Sequence, residues 1–568
     1  MARASCHKLC AVLGAFVGML LPHAGFADLS ATSVSDLRRA LGSLETELKA
    51  GVNAPLDVAA LRAKLPLQTV QTEAAANTSS PIMPVIPAPE PQQKKPTTEN
   101  SNGLFSLQLS QTAARPAPRS APAAAPAPLF GKPVVSGLKP GLKPGLKTVP
   151  NTPQDVGTTN FRLMLTPLVQ TYTGENAQAV INAQGPRGPI AVSVRAGSVS
   201  LADVQAYSAA LGMPPLLDGT LTAPVVVWPG ATLRLNPGER MALSTGGGAF
   251  LLSMGRLEIN GATIEAVGAK NTHTPSFTPF VTVAGGGALQ MQNATLRNLG
   301  FGDTAKFSGL SVAANLLTQS ESKVSIKDSL FHGLKTVSIA GVSGVEISGN
   351  TFVNARNNTL NLLNAPATRI SGNLFTGGSH TNAIRIEKGS SRTVVADNIM
   401  LLGQRVAVLV DGASDNVALR DNIIWKRQGA GIKFLRTHCG AASGNIILDN
   451  RQKGIEVRKS DGTVLQGNLI AGNSSSGIWV SAQQPGARTA LKNNLLVGNG
   501  SGLSAATGAE ILLSGNDFSG QLPRLLDGDI ARLTHNIVKD LRGAKALDFK
   551  NGGAELVSSS VTLCGDDL

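Results

Sequence analysis

The chain is short of the side chains that most often carry out chemistry. Its 568 residues include two tyrosines, four cysteines and seven histidines. Tyr172 and Tyr207 both precede the main repeats, which argues against a tyrosine base there. No Cys/His pattern has zinc spacing, no glycine-rich loop carries a P-loop lysine, and no serine or cysteine nucleophile arrangement stands out. Neither a metal nor a cofactor is implied. Beyond residue 27, no apolar run is long enough to cross a bilayer.

The first residues, MARASCHKLCAVLGAFVGMLLPHAGFA, join a basic start to an apolar core and a small-residue site at Ala27. They read as a cleavable signal peptide (1–27), with the mature chain starting near Asp28. Cys10 lies before the apolar core, which argues against a lipoprotein anchor. A bacterial periplasm is the expected address, with full secretion left open. Loss of Arg3 and Lys8 takes the formal charge from +14 to +12. The summed field of such a chain draws anionic partners. Outside the cytoplasm these are acidic polysaccharides rather than nucleic acids, with polysaccharide-export proteins as further partners. Charge that serves only solubility stays equally open. Cys6 and Cys10 leave with the leader. Cys439 and Cys564 remain, either as a disulfide tying the tail to a coil or as two thiols.

Residues 28–66 contain one amphipathic helix, Ser35 to Leu48, with Leu37, Leu41, Leu44 and Leu48 on one stripe. The stripe is too narrow to be a core, and can dock on the main domain or on a partner. Residues 67–157 are rich in Pro, Ala, Ser, Gln and Lys and end in Gly-Leu-Lys-Pro repeats. Such a stretch buries too little apolar surface to fold and reads as a disordered, basic linker. Residues 158–218 form the expected entry and cap region, with strands at Phe161–Leu165 and Ile190–Val194 and a capping helix at Leu201–Leu211. Short β-rich runs follow at Pro224–Trp228, Thr232–Leu235, Ala249–Leu252 and Arg256–Ile259. A solenoid is expected over 219–520, and a C-terminal cap and tail over 521–568, where Leu522–Leu541 is helix-compatible. Solenoid ends expose unpaired backbone, so atypical end segments must cover them.

The repeat itself is explicit. Asn350, Asn373, Asn398, Asn422, Asn445, Asn468, Asn494 and Asn516 are spaced by 23, 25, 24, 23, 23, 26 and 22 residues. Each precedes an apolar pair or near-pair, such as Leu-Phe, Ile-Met or Ile-Ile. A second landmark keeps constant phase: Ala383-Ile384, Ala407-Val408, Gly431-Ile432, Gly454-Ile455 and Gly477-Ile478. A fixed short period with strand-like alternation selects an all-β fold, a parallel β-helix with one coil per repeat. Stacked amides at a tight turn satisfy one another, so the asparagine row is structural.

Alternation then sorts the faces. Ile384 and Ile386 point in, with Arg385 and Glu387 out; Val408 and Val410 point in, with Leu409 and Asp411 out. Ile432 and Phe434, Ile455 and Val457, and Ile478 and Val480 continue the interior. Coils sit about 4.8 Å apart, so Asn361, Arg385, Lys433, Glu456 and Trp479 share one outer strip. Lys388, Asp411, Arg436, Arg458 and Lys459 lie at or just past its strand ends. Arg and Lys there can pair with uronate carboxylates, and the face of Trp479 can stack on a pyranose ring. The candidate substrate-binding residues are therefore Arg385, Asp411, Lys433, Arg436, Arg458 and Trp479.

Three further segments carry a family resemblance: TLTAPVVVWPGATLRLNP at 220–237, GGAFLLSMGRLEINGA at 247–262 and PFVTVAGGGALQMQNATLRNLGFGD at 279–303. Together with the phase of the later coils, the stretch from Gly188 to Asn516 resembles the periplasmic mannuronan C5-epimerases of alginate biosynthesis. The resemblance implies a right-handed parallel β-helix and a role in exopolysaccharide biosynthesis. It also implies an isomerase in which a base, a carboxylate-holding cation and an opposing acid move a proton at C5. The family's Asp-Pro-His-Asp motif falls on Asn361-Leu362-Leu363-Asn364, which has neither histidine nor carboxylate. The family's arginine one coil later falls on Lys388. The catalytic candidates are accordingly Asn361, Asn364 and Lys388, with His380 as the nearest substitute base and His438 two coils further on. A non-catalytic polysaccharide-binding scaffold is the alternative function.

Overall fold

The computed structural model describes residues 26–67, 156–172, 177–302, 305–314, 320–321, 323–550, 553–557 and 562–568. The expected leader and linker fall on residues 1–25 and 68–155, outside the described residues, except at their edges. Val156–Asn160 already forms a strand, antiparallel to Ile190–Val194, where the composition had extended the linker to residue 157.

Three sheets wind the chain into a parallel β-solenoid. Among the described residues, sheet 1 and sheet 2 have 15 strands each and sheet 3 has 11. Each full coil contributes one strand to each sheet. The coil after Asn350 runs through Thr351–Val353 (sheet 3), Leu360–Leu363 (sheet 1) and Arg369–Ser371 (sheet 2). In the repeat coils sequence alternation resolves the sheet 1 strand alone, whereas the earlier runs Thr232–Leu235 and Arg256–Ile259 fall on sheet 2. Interior residues stack in register, as in Ile384, Val408, Ile432, Ile455 and Ile478, all at 0% exposure. Phe331, Phe352 and Phe375 stack along the axis with ring centroids 4.8 Å apart. Burying each such side chain contributes about 1.5–3 kcal/mol, and the column repeats it coil after coil.

The asparagine row forms a continuous buried ladder between sheets 2 and 3. Each Nδ2 donates to the next Oδ1 at 2.8–3.0 Å from Asn350 through Asn516. The residue before each ladder asparagine is left-handed, with φ of 53–68°. Those residues are Gly349, Gly372, Asp397, Asp421, Gly444, Gly467, Asn493 and Gly515, the types that tolerate this region best. The recurring Gly/Asp/Asn-Asn dipeptide therefore encodes a corner followed by a ladder rung.

The ends and one flank are covered. Helix α5 (Leu201–Ala210), capped by Ser200 with Asp203, sends Leu201 and Val204 into the interior core. At the far end, Leu547–Lys550 and Gly553–Leu556 add antiparallel strands to sheet 2. Within 522–541, Leu526–Gly528 is a last sheet 1 strand and only Thr534–Val538 (α6) is α-helical, so most of that stretch is not the helix its composition allows. Phe161–Leu165 is likewise not a strand. Helix α3 (Arg162–Thr171) follows Phe161, and Phe161, Leu165, Leu168 and Tyr172 bury one helical face.

Helix α1 (Phe26–Lys49) and helix α2 (Val58–Ala63) lie on the outer face of sheet 3. Val34, Leu37, Leu41, Leu44 and Leu48 pack against outward residues including Leu401, Ile423, Trp425, Leu448 and Leu469. Arg38 clamps Asp449 at 2.7 Å, and Asp449 also accepts the Trp425 indole N–H at 3.1 Å. The amphipathic stripe thus docks on the solenoid itself. Cys439 and Cys564 are joined as a disulfide, which resolves the alternative left open above.

Candidate functional site: the outer face of sheet 1

The central outward row of sheet 1 begins with Ser193, Val226, Leu252, Thr282, Ser311 and Ser338. These coils are covered: α3, helix α4 (Ala177–Asn182) and Phe277, Phe280, Phe301 and Phe307 pack over them in one aromatic-rich cluster. Tyr172 reaches across to the carbonyl of Ala314, and burial pushes its phenol well above its usual value. The row then continues as Asn361, Arg385, Leu409, Lys433, Glu456, Trp479, Ser504 and Asp527. The row is buried through Ser338, becomes partly exposed at Asn361 and carries its first charge at Arg385.

The strip is cation-rich but partly self-neutralised. Arg385 pairs with Glu387 at 2.7 Å, Arg436 with Asp411 at 2.6 Å, and Lys433 with Glu456 at 2.9 Å. Lys453 also approaches Glu456, at 3.5 Å, and its ammonium lies 5.1 Å from the ring centre of Trp479. Cross-coil neighbours of opposite sign stabilise a sheet face in this way. Among the described residues, Lys388, Arg458 and Lys459 make no ion pair. Lys388, Arg436 and Lys459 share a second left-handed corner with Asn364, at φ of 48–56°, directly after the sheet 1 strands. That corner places Lys388, Arg436 and Lys459 along one edge of the strip, with Gly412 between the first two.

The structure brings Asn361, Arg385, Lys433 and Trp479 onto one row, with Asn364, Lys388 and Arg436 beside it and Asp411 and Arg458 on the flanking strand-end row. The Oδ1 of Asn361 is buried with no hydrogen-bond partner among the described residues. His380 is exposed on the turn before Ile384. His438 lies elsewhere, in the turn between sheets 1 and 2, with its Nδ1 3.5 Å from Asp461. Two contributors escaped the sequence reading. Lys453 sits before its strand, outside the alternation. Arg427 is buried and donates to the carbonyls of Arg405, Thr381 and Val406 at 3.0–3.3 Å, and also to Leu402. Burial among carbonyls pushes its guanidinium down to about 9. It pins the turn that carries His380, and nothing in the local sequence distinguishes it from a surface arginine.

The class of fold is a right-handed parallel β-helix. Residues 281–442 match the family described as a right handed beta helix region, and residues 390–523 match that of the periplasmic copper-binding protein NosD. The solved structure of the periplasmic alginate epimerase AlgG is similar at a TM-score of 0.52 and 18% identity, over 66% of this chain and 92% of that one. A double mutant of that epimerase superposes at 0.53 and 18% identity, over 67% and 96%. No curated protein sequence matches the chain. At this identity the likeness is one of fold.

Proposed function

We propose that the strip from Asn361 to Trp479 binds an acidic, uronate-containing polysaccharide in the periplasm, during exopolysaccharide biosynthesis or export. One observation carries this reading: the covering cluster reaches no further than Leu363, and the first cations of the strip, Arg385 and Lys388, stand on the very next coil. The coil spacing, about 4.8 Å, is close to the rise of one sugar unit in an extended polymer, so successive coils meet successive carboxylates. Lys388, Arg458 and Lys459 supply unpaired charge, while Arg385, Lys433 and Arg436 exchange an internal carboxylate for one on the ligand. Trp479 offers a ring face at the far end. The leader and the two periplasmic likenesses support the compartment, and no described helix is long and apolar enough to span a membrane.

The test is direct binding of polymannuronate by the pure protein. Affinity should fall steeply with added salt. A Lys388→Ala, Arg458→Ala, Lys459→Ala triple variant should lose about tenfold, from about 0.5 kcal/mol per exposed charge contact. Unchanged affinity in that variant would sink the proposal.

The fold of the alginate epimerase favours a second reading, in which the same track epimerises its polymer at C5. Asn361 and Asn364 would then donate to the uronate carboxylate and Lys388 would neutralise it, with His380 as the base. Incubation with polymannuronate in deuterated water decides this. Deuterium at C5 supports the epimerase, and binding without exchange leaves a polysaccharide-binding scaffold.

A further inference from the structure

The disulfide sits in a setting that suits a metal as well as a sulfur–sulfur bond. His438 lies beside it, with Nε2 3.8 Å from the Sγ of Cys564 and Nδ1 3.5 Å from an oxygen of Asp461. One ring nitrogen faces sulfur and the other faces a carboxylate. In metal sites a histidine ligates through one nitrogen while a carboxylate fixes the other. Asp461 is itself held: its second oxygen accepts the backbone N–H groups of Gly462 and Arg488, each at 2.8 Å. The ligand atoms of His438, Cys439 and Cys564 all lie within 4.8 Å of one another.

The tail that brings Cys564 here is anchored independently of the sulfur bond. Lys492 pairs with Asp566 at 2.7 Å, and Leu563 packs with Val464, Ala490 and Leu512. Cys564 therefore stays beside Cys439 when the bond opens. Cys439 is buried, whereas His438 is exposed, so a cation can enter from the solvent side.

We propose that in its dithiol state this corner binds one thiophilic d10 cation, zinc(II) or copper(I), through His438 Nε2 and the two sulfurs. A phosphine or thiol reductant supplies the two electrons that open the bond and is itself oxidised, while two protons complete the thiols. Cation binding then displaces those two protons and leaves a neutral imidazole and two thiolates as ligands, a set that soft cations prefer. Zinc keeps a fourth position for water. The ligands come from residues 438, 439 and 564, so no compact motif announces the site.

The experiment uses the full mature chain, reduced anaerobically with a phosphine, its thiols counted and the reductant removed. Zinc(II) and copper(I) are titrated separately against a chromophoric competitor, and cobalt(II) is added as a spectroscopic substitute. The expected result is one equivalent of zinc or copper(I) bound by the reduced chain and none by the oxidised chain, with a sulfur-to-cobalt charge-transfer band. His438→Ala, which removes an exposed side chain and leaves both cysteines, should weaken binding by at least about tenfold, and Asp461→Asn by about 10–100-fold. The proposal is overturned if oxidised and reduced chains bind alike, if His438→Ala binds as tightly as the parent, or if the bond cannot be reduced while the chain stays folded.

Discussion

Replacing Asn422 with alanine should cost the solenoid about 4 kcal/mol while leaving the outer strip of sheet 1 untouched. Asn422 is buried in the middle of the ladder. Its Nδ2 donates to the Val395 carbonyl and to Asn445 Oδ1, both at 2.9 Å. Its Oδ1 accepts the Asn398 backbone N–H at 3.1 Å and the Asn398 Nδ2 at 2.9 Å. Four hydrogen bonds vanish at about 1 kcal/mol each, and the Asn398 backbone N–H is left without its acceptor away from water. Asn422→Asp should be worse than alanine at neutral pH, because a carboxylate would face two acceptor oxygens and donate to neither. That excess should shrink on acidification, as the protonated acid regains one donor. Urea denaturation followed by far-UV circular dichroism measures the loss, and hydrogen exchange at the Asn398 amide, whose acceptor is removed, localises it. A loss below about 1 kcal/mol, or unchanged exchange at that amide, would refute the ladder's role.

Two further expectations concern corners and caps. Gly372 and Gly444 have the same φ of 63° at equivalent corners. A Cβ at Gly372 meets nothing within 4 Å, whereas one at Gly444 falls 2.3 Å from the Oδ1 of Asp421. Gly372→Ala should therefore cost about 1–2 kcal/mol of left-handed strain, and Gly444→Ala distinctly more; equal thermal shifts would contradict this. At the C-terminal cap, burial pushes the Asp548 carboxyl up to about 6, with Glu510 reinforcing the shift. Its folded pKa lies above its unfolded one, so the folded state binds the extra proton. The associated stability is present below about pH 4 and is lost as pH rises through about 6. Asp548→Asn should be more stable than the parent above pH 6, with the gap closing towards pH 4. A pH-independent gap would contradict the assignment.

The period of the fold was legible because a buried amide is conspicuous among apolar residues, and the residue before it must tolerate a left-handed corner. The sheet 1 strands were legible because one face is wet. Sheet 3 was not, because its outer face is apolar too: Ile399, Met400 and Leu401 are all buried, two of them beneath α1. Alternation carries no signal where both faces are dry. The Phe161 region misled for a related reason, since Phe161, Leu163 and Leu165 alternate, yet the burial follows a helical spacing to Leu168 and Tyr172 and leaves Leu163 exposed. For the strip, the sequence supplied the row of charges but not their pairing. Lys433 and Glu456 are 23 residues apart and meet only because the register is exact to the residue.

The central claim is that an acidic polysaccharide lies along sheet 1, and hydrogen exchange with and without polymannuronate tests it most directly. Ligand should slow exchange in the segments 384–388, 408–411, 432–436, 455–459 and 476–482, while α1 and the outer face of sheet 3 stay unchanged. Protection confined to sheet 2, sheet 3 or the N-terminal helices, or no protection at saturating polymer, would contradict it.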